Sequence, residues 1–280
     1  MDSSKDQPTS VCHVVAVPYP GRGHINSMMN LCKLLASHKA DILITFVLTE
    51  EWLGFIGSEA KPDNVRFATV PNVIPSELVR AADIDGFIEA IMTNMEAPFE
   101  RLLDRLEQSP VLIVADTFLP WAISVGNRRN VQAASFWPMP ASVFSMFQHF
   151  HLLAENGHFP VDLLERGNER VDYIPGVSST RLVDLPHFMD GSMVSNLIVE
   201  DWKVGLRVKK AEVKIDHLVT REEIAGLVKK FMDLEDEEGK EMRRRARELK
   251  KICHGAIAEG GSSETNIDAF IRSISQGHEH

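Results

Sequence analysis

The stretch Val11-Cys-His-Val-Val-Ala-Val17, followed by Pro18-Tyr-Pro-Gly-Arg-Gly-His24, decides the fold of this 280-residue chain. An apolar run rich in β-branched residues suits a central parallel strand buried on both faces. Pro18 and Pro20 stop it, because proline has no N–H to give to a ladder. Gly21 and Gly23 let the backbone turn tightly and come close to a ligand. Asn26 or Ser27 is expected to cap a helix whose Met28, Leu31, Leu34 and Leu35 face inward. His24 thus stands at the carboxyl end of the first strand, where open α/β sheets place their ligands. Three readings of the loop compete. A dinucleotide site needs Gly-x-Gly-x-x-Gly, and Asn26 occupies the third glycine position. A packed or capping histidine is the plain structural alternative. The third reading is a general base, a role that suits imidazole because its ordinary pKa lies near working pH.

Moving outward, strands alternate with helices. Ile42–Leu48 and Val65–Val70 read as strands, with a short amphipathic piece at Trp52–Ile56 between them. Asp83 to Gln108 reads as helical, kinked or split by Pro98. Val111–Ala115 is a fourth strand that ends at Asp116. A helix over Pro120–Arg129, a fifth strand over Val131–Phe136 and a helix over Pro138–Glu155 follow. This spacing is that of βαβ units, so the fold class is α/β with a doubly wound parallel sheet.

Past Pro160 the pattern is irregular. Leu197–Lys203 looks helical, Gly205–Lys209 resembles a short strand, and three helices follow. Thr220-Arg-Glu-Glu223 is a capping box for the first of these. The second carries acids at Asp233–Glu238 and bases at Arg243–Lys251, in the order that the helix dipole favours. Gly260-Gly261 ends it, and Ser262 or Ser263 starts the last helix, through Ile274. Five strand–helix units precede residue 190 and one weak strand follows it. The strands that such helices would cover are not in the chain.

Composition sets outer limits. The chain is 44% apolar and 25% charged, as in an ordinary globular protein. Its net charge is −10, and residues 1–190 hold 14 Lys and Arg against 23 Asp and Glu. An acidic first part speaks against nucleic acid as the main partner. Three scattered cysteines form neither a disulfide framework nor a zinc pattern. With a polar start and no membrane-length apolar run, a cytoplasmic location without a membrane span is expected.

Asp116 ends a strand on the same edge of the sheet as His24. A carboxylate there can accept a bond from the far nitrogen of the imidazole, fixing its tautomer and stabilising its charged form. Capping of the next helix is the alternative role. Phe118, Trp121, Trp137, Phe144 and Phe147 are core residues or, at strand ends, the lining of an apolar pocket for a flat molecule.

With these residues in view, the sequence resembles the plant secondary-product UDP-glycosyltransferases, inverting enzymes of GT-B fold, nearest to their branch numbered eighty-seven. The stretch from His13 to Asn26 is similar to the family's opening motif, and Leu112-Ile-Val-Ala-Asp116-Thr-Phe118 to its partner-aspartate strand. Ala134-Ser-Phe-Trp137-Pro-Met-Pro-Ala is similar to the segment lining the acceptor and sugar cleft. Asn196 to Val208, Met242-Arg-Arg-Arg-Ala and Glu259 to Asn266 are similar to the C-terminal helices. The resemblance implies a Rossmann-like acceptor domain over 1–190 and a mostly helical remnant of the UDP-sugar domain over 195–280, with the last helix packing back on the first domain. It implies His24 as base and Asp116 as its orienter, with Gly23, Phe118, Trp137 and Phe147 around the acceptor. It also implies a small lipophilic or phenolic acceptor, UDP-sugar as co-substrate, and no cofactor or metal.

One departure outweighs every substitution. Family members carry a donor-binding box with a uracil-stacking tryptophan, a His-Cys-Gly-Trp-Asn-Ser run for the diphosphate and an Asp-Gln pair for the sugar. Here the four tryptophans are Trp52, Trp121, Trp137 and Trp202, no Cys-Gly-Trp run occurs, and no Asp-Gln pair stands in the C-terminal part. First-domain sequence runs to about Ser192 and second-domain sequence resumes near Ser195. The expectation is an acceptor domain without UDP-sugar binding. A non-catalytic binding protein and an unstable fragment are the rival readings.

Overall fold

The computed structural model describes residues 12–38, 41–185, 203–206 and 220–276. The expected helix over Leu197–Lys203, the strand over Gly205–Lys209 and the domain junction at 190–195 lie wholly or partly outside these residues. The chain divides into two compact units, Met1–Pro138 with Ser263–His280, and Met139–Ser262.

The first unit is built on five parallel strands: β1 (Cys12–Val17), β2 (Ile42–Thr49), β3 (Val65–Val70), β4 (Leu112–Asp116) and β5 (Gln132–Phe136). Their order is β3-β2-β1-β4-β5, so β1 is central, as its unbroken apolar run requires. Strand period two sends alternate residues to opposite faces. Cys12, Val14 and Ala16 join one core with α1 (Arg22–His38) and α2 (Glu50–Ile56). Val15 and Val17 join the other with α3 (Ile84–Asn94), α4 (Glu96–Asp104) and α5 (Pro120–Arg128). The last helix, Ser262–Gln276, returns to the first of these cores: Ile274 is buried, and Ile267, Phe270 and Ile271 pack beside it.

Two expectations need correction. Neither Asn26 nor Ser27 caps α1. The helix begins at Arg22, because the Ile25 N–H already donates to the Gly21 carbonyl at 3.0 Å, and the Ser27 hydroxyl turns back onto the Gly23 carbonyl. Nor does Leu34 face inward with Met28 and Leu35; it is 39% exposed, whereas those two are buried. Pro98 does split its helix. It has no N–H for the Asn94 carbonyl four residues earlier, so α3 stops at Asn94 and α4 restarts at Glu96.

In the second unit the helix expected over Pro138–Glu155 is two, Ala141–Gln148 and Phe150–Glu155, broken at His149. A short helix at Leu163–Arg166 and a two-stranded antiparallel pair, Arg170–Val171 with Thr180–Arg181, were not foreseen. The helix Arg221–Met232 opens on a complete capping box of Thr220 and Glu223, and Glu237–Ile257 follows it.

Candidate active site

Every strand of a parallel sheet ends at the same edge, so the β1–α1 and β4–α5 connections meet there. Asp116 is the last residue of β4. Its main-chain carbonyl accepts from the Leu119 N–H at 2.9 Å, and its Oδ1 accepts from the Phe118 N–H at 3.1 Å. The carboxylate is thereby pinned before any partner arrives. Its Oδ2 lies 2.8 Å from His24 Nδ1.

His24 sits in the first turn of α1, not in the loop before it. Its side chain is 27% exposed, while that of Asp116 is fully buried. A carboxylate can only accept, so Nδ1 carries the proton and donates it. The lone pair is left on Nε2. This is a base with its orienter, built by two strand ends.

Aromatic rings surround the pair. Tyr19 lies 5.0 Å from the imidazole centroid and Phe118 lies 5.7 Å away, edge-on at 75°. Trp137, just past β5, stacks on Phe118 at 6.1 Å. Burial pushes the Tyr19 phenol up; Arg80 opposes that shift, and Asp116 and Glu77 add to it. A Cβ on Gly23 would meet nothing within 4 Å, so open space adjoins His24 there. Phe147 is half-buried on the Ala141–Gln148 helix of the second unit, and its expected role stays a matter of sequence. Thus His24, Asp116, Gly23, Phe118 and Trp137 gather in one unit.

Sequence reasoning passed over Tyr19, Glu77 and Arg80. Tyr19 was legible, lying two residues beyond β1. Glu77 and Arg80 belong to a single 3-10 segment, Glu77–Ala82, that no periodicity marks. Among the described residues no group of three or more His, Cys, Asp or Glu could hold a metal, and no helix is long and apolar enough to cross a membrane.

No family model matches the chain. Two relatives from Arabidopsis thaliana do: UDP-glycosyltransferase 87A1, 32% identical over 93% of this chain and 100% of its own, and UDP-glycosyltransferase 87A2, 32% identical over 98% and 99%. The chain belongs to the UDP-glycosyltransferase family. Solved structures carry the same fold. That of Phytolacca americana UGT2, with UDP-2-fluoro-glucose and pterostilbene, superposes with a TM-score of 0.70 at 14% identity, covering 95% of this chain and 100% of that one. A UDP-glucosyltransferase from Polygonum tinctorium, in complex with 3,4-dichloroaniline, gives 0.72 at 14% identity, over 94% and 98%.

The match to the first UDP-glycosyltransferase spans 439 residues but only 93% of a 280-residue chain, or about 260 residues. The remainder, about 180 positions of the alignment, has nothing opposite it in this chain. Both ends match, so the gap is internal. It agrees with the absence of the donor-binding box from the sequence.

Proposed function

We propose that this chain is the acceptor-binding half of a UDP-glycosyltransferase, and that it binds a small lipophilic or phenolic alcohol without transferring sugar to it. In the whole family reaction, His24 Nε2 takes the proton of the acceptor hydroxyl as the oxygen attacks the anomeric carbon. The bond to UDP breaks on the opposite face, and UDP leaves with the electron pair. Asp116 holds the imidazole in the required tautomer and stabilises the imidazolium that forms. Neither step calls for a metal. The cytoplasmic placement expected from cysteine usage goes with this reading.

One observation carries the proposal: the His24 Nδ1 to Asp116 Oδ2 contact of 2.8 Å, with the carboxylate buried and the imidazole partly open. The internal gap supports the second half of the reading. Transfer needs base and activated sugar held together to within a few tenths of an ångström. A chain without uracil-stacking and diphosphate-holding residues has nothing to hold the sugar.

The purified chain is expected to bind 2-naphthol in calorimetry, to show no saturable binding of UDP-glucose up to about millimolar concentration, and to form no glycoside detectable by mass spectrometry. Glycoside formation that disappears in His24→Ala would overturn the proposal that the gap removes transfer. Failure to bind any phenol would overturn the acceptor site itself.

A further inference from the structure

Beside the base and its orienter stands a charged group that the reaction does not use. A Cβ built on Gly21 would lie 3.5 Å from Arg80 Nη1 and 3.7 Å from His24 Cδ2. The guanidinium is therefore no farther from the imidazole than the sum of those distances, about 7 Å. It is a cation on the side of the imidazole edge that carries Cδ2, the carbon bonded to Nε2. Arginine there would ordinarily select a carboxylate, which it grips with two parallel N–H donors.

Here it is already engaged. Arg80 Nη1 donates to Glu77 Oε2 at 3.1 Å, and the Glu77 side chain is only 20% exposed. The segment that carries both is anchored from α2. The Glu51 carboxylate accepts from the Glu77 N–H at 2.9 Å and from the Ser76 hydroxyl. Arg80 also lies over the Phe87 ring at 5.6 Å, which holds the guanidinium in place independently of Glu77. The other arginine of this region, Arg22, is paired with Glu59 at 3.1 Å and set over Trp52. Burial apart, Asp116 and Glu77 lie close enough to Tyr19 to push its phenol up, against the single opposing charge of Arg80.

We infer that Glu77 sets the acceptor class of this site: by engaging Arg80 it withholds that cation from the ligand, so the pocket takes uncharged phenols and turns away carboxylates. The inference rests on the acceptor-binding reading above. A carboxylate bound beside His24 loses water and meets the charges of Asp116 and Glu77, and it gains Arg80 as a full partner by breaking the Glu77–Arg80 pair. A neutral phenol pays neither penalty and keeps the stacking surface of Phe118 and Trp137.

The test uses two probes of one shape, 2-naphthol and 6-hydroxy-2-naphthoate, titrated by calorimetry into the purified chain. Wild type is expected to bind the naphthol at least about tenfold more tightly. Glu77→Gln keeps the main-chain contact to Glu51 and frees Arg80, and should narrow that difference to about threefold or less by strengthening naphthoate binding. Adding Arg80→Gln to Glu77→Gln should open the gap again. Equal affinities in the wild type would overturn the inference and leave the acceptor site standing. So would a naphthoate gain in Glu77→Gln that survives the loss of Arg80, since the pair would then be irrelevant. If neither probe binds wild type, the acceptor site and this inference fall together.

Discussion

His13 is fully buried in β1, where Nδ1 meets the Gln108 carbonyl at 2.7 Å and Nε2 meets the Thr45 hydroxyl at 2.8 Å. The carbonyl can only accept, so Nδ1 carries the proton and Nε2 accepts from Thr45. Thr45 Oγ1 in turn accepts from Arg66 Nε at 3.3 Å. Burial lowers the pKa of His13, and the nearby Arg66 charge lowers it further, against a raising effect from the Gln108 bond. The sign of the pH effect follows. The unfolded chain takes up the proton near the ordinary value, about 6.5, before the folded chain does. Stability therefore falls as pH drops below that value, until the folded pKa is passed. Urea denaturation should show His13→Leu to be about 1–3 kcal/mol less stable at pH 7.5, since the Thr45 and Gln108 contacts lose their partner. It should also show a flatter loss of stability between about pH 6.5 and pH 5. A wild-type slope in the variant would mean that another group titrates there. His24, on the same strand–helix unit, differs in being partly open, with one nitrogen spoken for and the other available. Nothing in the residue type separates these two histidines. Position relative to the strand end does, which is why His24 could be singled out from sequence and the pairing of His13 could not.

The elements were legible where one force dominated. Apolar runs bounded by proline or Asp-Asn marked the strands of the sheet, and Pro98 marked the α3–α4 break, because a missing N–H and a blocked carbonyl leave little choice. The start of α1 was misread because glycine at the cap leaves no side-chain signature. Asn26 and Ser27, good caps by type, were given a role that the Gly21 carbonyl already fills. Two expectations follow from how unequally the helices are covered. Ile274 is 3% exposed in the first core, so Ile274→Ala should cost about 2–4 kcal/mol in chemical denaturation. A loss below 1 kcal/mol would mean that the last helix rests on the sheet without supporting it. The helix Arg221–Met232, by contrast, has no buried residue, and Ile224, Val228, Phe231 and Met232 are all exposed. The helix after it buries only Gly239 and Met242. Amide hydrogens over residues 221–255 should therefore exchange much faster than those of Cys12–Val17. Equal protection of the two regions would contradict this.

For the whole molecule, the α/β class and the parallel sheet with β1 at its centre were readable because strand and helix periods alternate at βαβ spacing. That strands are missing was readable from proportion, as helices without strands to cover; that the gap is internal came from the family resemblance of both ends. Residues brought together by tertiary folding were harder. His24 and Asp116 could be paired because both end strands, whereas Glu77 and Arg80 come to the site on an irregular connection that no spacing rule places. The first unit is also discontinuous: its core takes residues up to Pro138 and then the last helix. On the ribosome the sheet must therefore wait, with the surface meant for Ile267, Phe270, Ile271 and Ile274 uncovered, until the helix Ser262–Gln276 has been made. A premature stop between the sheet and that helix would leave that surface bare for good. Excision of a middle segment in frame does not, because the closing helix still arrives on the same chain. A message that drops its central portion can thus yield a sheet domain with its last cover in place, where a message cut short cannot.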